Sequence, residues 1–321
     1  MSKLPSYLKQ LPGGAMMKTL FRASIVVALG ICGAAAQARS VSPQSYIADA
    51  TRAAPGAVAL RVEVAQAEIK SDINPSNIAV ATGGGLFGAL IGAAVDSAKA
   101  KKAEALITPL RDALTGFDAD ALAIDTTKAE MADISWISAN AAPFSKDSST
   151  ASQSAYLDTI AANQLAVVSY SYDLSPDFAS IRVVERISIA RKAAVNSAGA
   201  AIKPVDRLSY RNLEYSQSMT SVMTLPGATK DKDANAALWA ADGAKRARAA
   251  LAAGFAEVSR LTRRSLNLTP DIITGMDGKQ NKRIVTGGYF GREIAGEAAG
   301  TTLIWAPGFV SVQALADTAT K

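Results

Sequence analysis

The chain has 321 residues, one cysteine, no histidine and a formal net charge of +6 at pH 7. The absence of histidine excludes Ser-His-Asp and Cys-His nucleophile systems and the histidine-containing zinc sites. Any general acid or base must be Asp, Glu, Lys or Tyr, and GxSxG and Walker patterns do not occur.

The N-terminus reads as an export signal. Lys18 and Arg22 precede an apolar run from Ala23 to about Ala36, and Ala36-Gln37-Ala38 offers small residues where a signal peptidase reads them. The pattern predicts a signal peptide over residues 1–38, translation starting at Met17 and cleavage after Ala38. The expected location is the periplasm or the exterior of a bacterial envelope. The alternative is a membrane-anchored lipoprotein lipidated at Cys32, for which Ile31 is bulkier than the lipidation box prefers. No cysteine follows Cys32, so the exported chain makes no disulfide. Lys3, Lys9, Lys18 and Arg22 are the only charged residues of 1–38, so cleavage lowers the net charge from +6 to +2. That balance gives no argument for a nucleic-acid partner.

Residues 39–55 are small and polar and read as a flexible lead-in to a single exported domain, 56–321. Val58, Leu60, Val62 and Val64 alternate with Ala59, Arg61, Glu63 and Ala65, the period of a half-buried strand. Asp72 to Asn77 is turn chemistry. The uncharged segment Ile78–Val95 then admits three readings. Gly83, Gly85 and Gly88 match GxGxxG, but no second parallel strand ending in an acid follows, as a dinucleotide fold requires. The length suits a membrane span, yet glycine and alanine supply little hydrophobic drive, so membrane association is not favoured. The third reading is a glycine-zipper helix at about 83–114. Gly84, Gly88 and Gly92 recur every fourth residue, Gly85, Ala89 and Ala93 form a neighbouring stripe, and the resulting flat face permits close packing.

Beyond it, Lys99, Lys101, Lys102 and Glu104 define a wet face, and Ala103, Leu106, Ile107, Leu110 and Leu114 an apolar one. Pro109 is expected to kink the helix or start a new one, and Gly116 to stop it. Phe117 to Ile124 reads as a short strand, Lys128 to Ile137 as a short helix, and Ser145 to Ser154 as a serine-rich loop. Leu165–Leu174 and Ile181–Ile189 flank Ser175-Pro176-Asp177 and predict a hairpin. Leu208–Leu225 is a third strand region, with Tyr170, Tyr172, Tyr210 and Tyr215 placed for stacking across strands. Asp233 is the expected N-cap of a long helix to about Arg264, buried along Leu251, Phe255, Val258 and Thr262. Lys282–Thr286, Thr302–Trp305 and Phe309–Val312 are the remaining strand candidates. The order predicts an α+β fold, a mostly antiparallel sheet with two long helices packed on one face.

The glycine-zipper helix after an exported strand, running into KKAEALITPLRDAL, resembles uncharacterised bacterial envelope proteins and lipoproteins over about the first third of the exported chain. The resemblance implies no reaction, cofactor or catalytic residue; Ile31 departs from the lipoprotein pattern.

Candidate chemistry is sparse. Asp118, Asp120 and Asp125 could form a hard-cation site, but no EF-hand spacing is present and a solvated turn is the favoured reading. Asp271, Asp277 and Gly278 read as turn chemistry. Glu185, Glu214, Glu293 and Glu297 are the carboxylates from which a glycosidase pair would be drawn. No cofactor or metal is expected. The leading expectation is a non-catalytic envelope protein acting by binding or assembly, with Gly84, Gly88, Gly92, Gly85, Ala89 and Ala93 as the packing face towards a second copy or an envelope partner. The alternatives are a carboxylate-dependent polysaccharide hydrolase and a periplasmic small-ligand-binding protein.

Overall fold

The computed structural model describes residues 45–72, 86–194, 199–276, 283–286, 289–294, 300–305 and 308–316. The chain divides into two units, 1–38 and 39–321, and every described residue belongs to the second. Ala36, Ala38, Cys32, Gly84 and Gly85 lie outside the described residues.

The folded unit begins with one helical turn, α1 (Asp49–Arg52), then strand β1 (Val58–Val64) and the short β2 (Lys70–Ser71). Helices α2 (Leu86–Ala113) and α3 (Ala119–Met131) lead to β3 (Ile137–Ser138), β4 (Phe144–Ser145) and α4 (Thr150–Thr159). The central strands β5 (Gln164–Leu174), β6 (Ser180–Arg191) and β7 (Tyr215–Thr224) follow, with 3-10 turns at Pro204–Asp206 and Tyr210–Asn212 before β7. Helix α5 (Lys232–Leu266), the short α6 (Pro270–Met276), β8 (Arg283–Thr286), β9 (Tyr289–Glu293), β10 (Thr301–Trp305) and β11 (Gly308–Ala314) complete it.

Among the described residues the strands form one 11-stranded sheet, ordered β3-β1-β5-β6-β7-β11-β10-β9-β8, with β4 added to β1 and β2 to β5. Antiparallel pairing runs through β5–β6–β7 and from β8 to β11; β1 joins β5, and β11 joins β7, in parallel. The class is α+β with a mostly antiparallel sheet. The β5–β6 hairpin closes at Ser175-Pro176-Asp177. Ser175 Oγ donates to Asp177 Oδ1 at 2.6 Å and accepts from Ser180 N at 3.0 Å. Side chains thus satisfy turn groups that the ladder leaves open.

One face of the sheet carries the main core. Val58, Leu60, Val62 and Val64, with Ala166, Val168, Tyr170 and Tyr172, meet Leu251, Phe255, Val258 and Leu261 of α5. The stripe Leu251, Phe255, Val258 and Thr262 is wholly buried, as the 3.6-residue period requires. Helix α2 packs against α5 through Ile107 and Leu110, both fully buried. α5 is interrupted: Ala241–Ala244 leave helical geometry, and Asp242, Gly243 and Ala244 have φ of 53°, 63° and 58°. Arg248 spans the break. It donates from Nε to Gly243 O at 3.2 Å and from Nη2 to Ala113 O at 2.7 Å, satisfying a carbonyl at the end of α2. Trp239 Nε1 donates to Phe178 O at 2.8 Å, so the largest buried ring has its polar atom paired.

Several expectations are corrected. The lead-in is structured from residue 45, since Ile47 and Thr51 are buried and Arg52 Nη2 donates to Leu268 O. Residues 119–131 are helix, not a strand followed by a helix. Asp118 Oδ1 accepts from Ala121 N at 2.8 Å, and Ala119, Ala123, Thr127 and Met131 form a buried stripe four residues apart. Ser145–Ser154 is a loop only at its start, because Ser149 caps α4 by accepting from Ser152 N at 3.2 Å. Pro109 sits inside α2 without ending it. The cap of α5 is Asp231, which accepts from Asp233 N at 2.9 Å; Asp233 lies in the first turn. β7 starts only at Tyr215, since Pro204–Asp206 and Tyr210–Asn212 are 3-10 turns, and β9 is a strand the alternation did not reveal. Tyr170 and Tyr172 stack on Phe255, with centroids 5.2 and 5.8 Å apart, rather than on Tyr210 or Tyr215.

The zipper helix begins at Leu86 among the described residues, and Gly88, Ala89, Gly92 and Ala93 fall within its backbone. Among the described residues no helix is long and apolar enough to cross a membrane.

Candidate ligand-binding cleft

The second face of the sheet is polar at its centre. β1 was expected to be half-buried, but its alternate residues Arg61 and Glu63 are also buried, 5% and 0% exposed. The covering is the segment from β4 to α4. Arg61 Nη2 donates to Ser145 Oγ at 2.9 Å, Asp147 O at 2.8 Å and Ser152 Oγ at 2.8 Å, and Arg61 Nε lies 2.8 Å from Glu63 Oε1. Glu63 Oε2 accepts from Gln153 Nε2 at 2.7 Å. Burial pushes the Glu63 carboxyl above its ordinary pKa, against the hydrogen bond from Gln153 and the charge of Arg61. One guanidinium thereby ties β1 to β4 and α4, and the Tyr156 ring lies 5.5 Å from it.

Beside this wall lies a cleft of about 590 Å³, within the range typical of small-ligand sites. Its floor is one face of β5, β6 and β7: Ser169, Ser171, Arg186, Ser188, Ser216 and Ser218. The ladder dictates that grouping. Ser145, Glu63, Ser169, Arg186 and Ser218 are successive register partners across β4, β1, β5, β6 and β7, and side chains in one row share a face. Ser148 and Gln153 form one rim; Leu208, Tyr210 and Leu213 form the other. The strands are apolar at both ends of this face. Leu157, Leu165, Val167 and Ala190 pack at one end, and Val222, Leu303 and Val310 at the other.

Arg186 is the central charge. It is exposed, and among the described residues its guanidinium has no hydrogen bond or ion pair. Other arginines near this sheet are committed. Arg182 binds Asp173 at 2.6 Å and Asp72 at 2.8 Å, Arg191 binds Glu214, and Arg207 donates to both oxygens of Asp158 at 2.8 and 2.9 Å. The rim turn is held rigidly. Asn212 Nδ2 donates to Asp206 O at 2.7 Å and Ser209 Oγ at 2.9 Å, while Arg207 Nη1 donates to Lys192 O at 3.0 Å.

The carboxylates singled out from sequence do not assemble. Glu185 is fully buried on the opposite, α5-facing side, where Ser259 Oγ donates to it at 3.2 Å. Glu214 N bonds to Ile189 O, four residues further along β6, which places it roughly 13 Å from Glu185 at strand spacing. Glu293 ends β9, and Glu297 lies outside the described residues. Asp118 caps α3, Asp120 pairs with Lys146 at 2.7 Å, and Asp125 is exposed on the helix. Asp271 lies in the first turn of α6; Asp277 and Gly278 are outside the described residues. Among the described residues no group of three Asp, Glu, Cys or His comes together.

The cleft residues were not singled out from sequence. The available signal was the alternation of Ser169 and Ser171, and of Arg186 and Ser188, with Tyr170, Tyr172, Ile187 and Ile189. That pattern ordinarily marks a solvated face.

The fold and cleft define the class of protein: an α+β protein with a polar cleft on a sheet face. No known protein family, curated protein or solved structure matches the chain.

Proposed function

We propose that this is an exported envelope protein that acts by binding a small anionic ligand in the sheet-floor cleft, without catalysing a reaction on it. The observation that carries this reading is Arg186. A guanidinium with no partner among the described residues, at the centre of a serine-lined floor, is a fork of donors suited to a carboxylate or phosphate. The rigid rims lower the ordering cost of binding. Hydrolysis finds less support, because a glycosidase needs two carboxylates facing one substrate and Glu185 lies on the other side of the sheet. The face formed by Gly84, Gly88 and Gly92 with Gly85, Ala89 and Ala93 would then serve assembly with a second copy or an envelope partner.

The test is a thermal-shift panel of small anions against the wild-type protein and Arg186→Gln. Anions that raise Tm in the wild type should lose that effect in the variant. Equal shifts in both proteins, or none in either, would refute the reading. N-terminal sequencing of the protein recovered from the periplasm should begin at Arg39.

A further inference from the structure

We infer that the ligand is a sugar acid, a pyranose bearing a carboxylate or phosphate, held with its anion on Arg186 and its ring face on Tyr210. This inference rests on the cleft being a binding site and adds the chemical class of what it binds. Tyr210 is 57% exposed, with Val205 and Ile272 one of three large apolar side chains left in water among the described residues, and it lines the cleft rim. Its position is not an accident of a loose loop. The turn that presents it is bonded through Asn212 to Asp206 and Ser209, and Leu208 and Leu213 on either side pack against the Leu157, Leu165, Val167 and Ala190 cluster.

An exposed ring on a rigid mount offers an electron-rich face, and the C–H groups of a pyranose carry the matching partial positive charge. An aromatic acid would satisfy Tyr210 and Arg186 equally well. The floor separates the two. Ser169, Ser188, Ser216 and Ser218 present hydroxyls that bond to water while the cleft is open, and among the described residues their one hydrogen bond runs from Ser169 Oγ to Arg186 O at 3.5 Å. A ligand that displaces that water must supply hydrogen-bonding groups of its own, or each stranded hydroxyl carries a desolvation penalty. A ring with several hydroxyls does this, and a benzene ring does not.

The experiment is isothermal titration of the full chain with D-glucuronate, D-glucose 6-phosphate, D-glucose, benzoate and inorganic phosphate, repeated on Tyr210→Ala, Tyr210→Phe and Arg186→Gln. Both positions are exposed, so the variants should fold. At least one sugar acid should bind about tenfold or more tightly than glucose, benzoate and phosphate. Tyr210→Ala should weaken it by about tenfold, Tyr210→Phe by no more than about threefold, and Arg186→Gln should erase the preference for the acid over glucose. Glucuronate against glucose 6-phosphate separates carboxylate from phosphate recognition. If benzoate or inorganic phosphate binds through Arg186 as tightly as either sugar acid, the sugar assignment is wrong and the anion cleft stands. If no probe binds, or binding ignores Arg186, both fall together.

Discussion

Glu185 on β6 accepts a hydrogen bond from Ser259 on α5, with Oγ 3.2 Å from Oε2, inside the core where no solvent reaches either residue. The Tyr170 hydroxyl lies 3.0 Å from Ser259 Oγ and 2.6 Å from Thr127 Oγ1 of α3, so a buried polar chain joins the sheet to two helices. Burial pushes the Glu185 carboxyl up to about 7, while the hydroxyls of Thr262, Tyr170 and Ser259 pull the other way and Glu130 adds to the rise. A folded pKa above the unfolded value means that the native state holds the extra proton between about pH 4.5 and 7. Stability should therefore fall as pH rises through that window, by up to roughly 3 kcal/mol. Glu185→Gln should flatten this dependence and make the protein more stable than wild type at pH 8, read by urea unfolding at several pH values. An unchanged pH profile in the variant would disprove it.

Arg61 and Glu63 make the corresponding bet on the other face. Arg61→Met leaves a buried carboxylate without its cation and frees the segment from Ser145 to Ser152. The expected loss is about 3–5 kcal/mol near neutral pH. Adding Glu63→Gln should recover part of it, and acidification should narrow the gap because Glu63 then protonates. Denaturant midpoints of the single and double variants test the coupling.

Gly254 is a packing requirement. A Cβ there would stand 2.6 Å from Val183 Cγ2 and 3.2 Å from Val183 Cβ, on a β-branched residue with little rotamer freedom. Gly254→Ala should cost about 1–3 kcal/mol although alanine favours helix, because overpacking outweighs propensity. Val183→Ala in the same background should relieve it. A Gly254→Ala variant as stable as wild type would show that α5 is free to lift from β6.

The glycine face of α2 is tested by Gly88→Leu. If this face meets a second copy or an envelope partner, the substitution should shift the oligomeric state seen by light scattering or change membrane fractionation. Unchanged assembly, fractionation and Tm would end the proposal. Glycine lies about 0.8–1 kcal/mol below alanine in helix propensity and leucine only slightly below alanine, so any loss has to come from the face.

The alternation of Val58 to Val64, the Ser175-Pro176-Asp177 turn and the stripe Leu251, Phe255, Val258 and Thr262 were legible because each depends on neighbours within a few residues. Periodicity fails where helix and strand patterns coincide. Ala119 and Ala123 lie among small and apolar residues, and only the cap at Asp118 and a buried face four residues apart reveal a helix. The tyrosine stacking was misread for another reason: Tyr170 and Tyr172 chose Phe255, which is more than eighty residues away in sequence.

The amino-acid sequence by itself determined the α+β class, the central hairpin, the buried stripe of the long helix and the exclusion of histidine chemistry, since these follow from composition and short-range period. Only the tertiary structure decided what Arg61, Glu63, Arg186 and Tyr210 mean. Strand register set Arg186 between Ser169 and Ser218, the chain reversal through α4 buried Arg61 and Glu63, and the turn at Tyr210–Asn212 raised a ring at the cleft edge. Register and burial belong to pairings between distant segments, and a free arginine differs from a solvated one only by what the rest of the chain places around it.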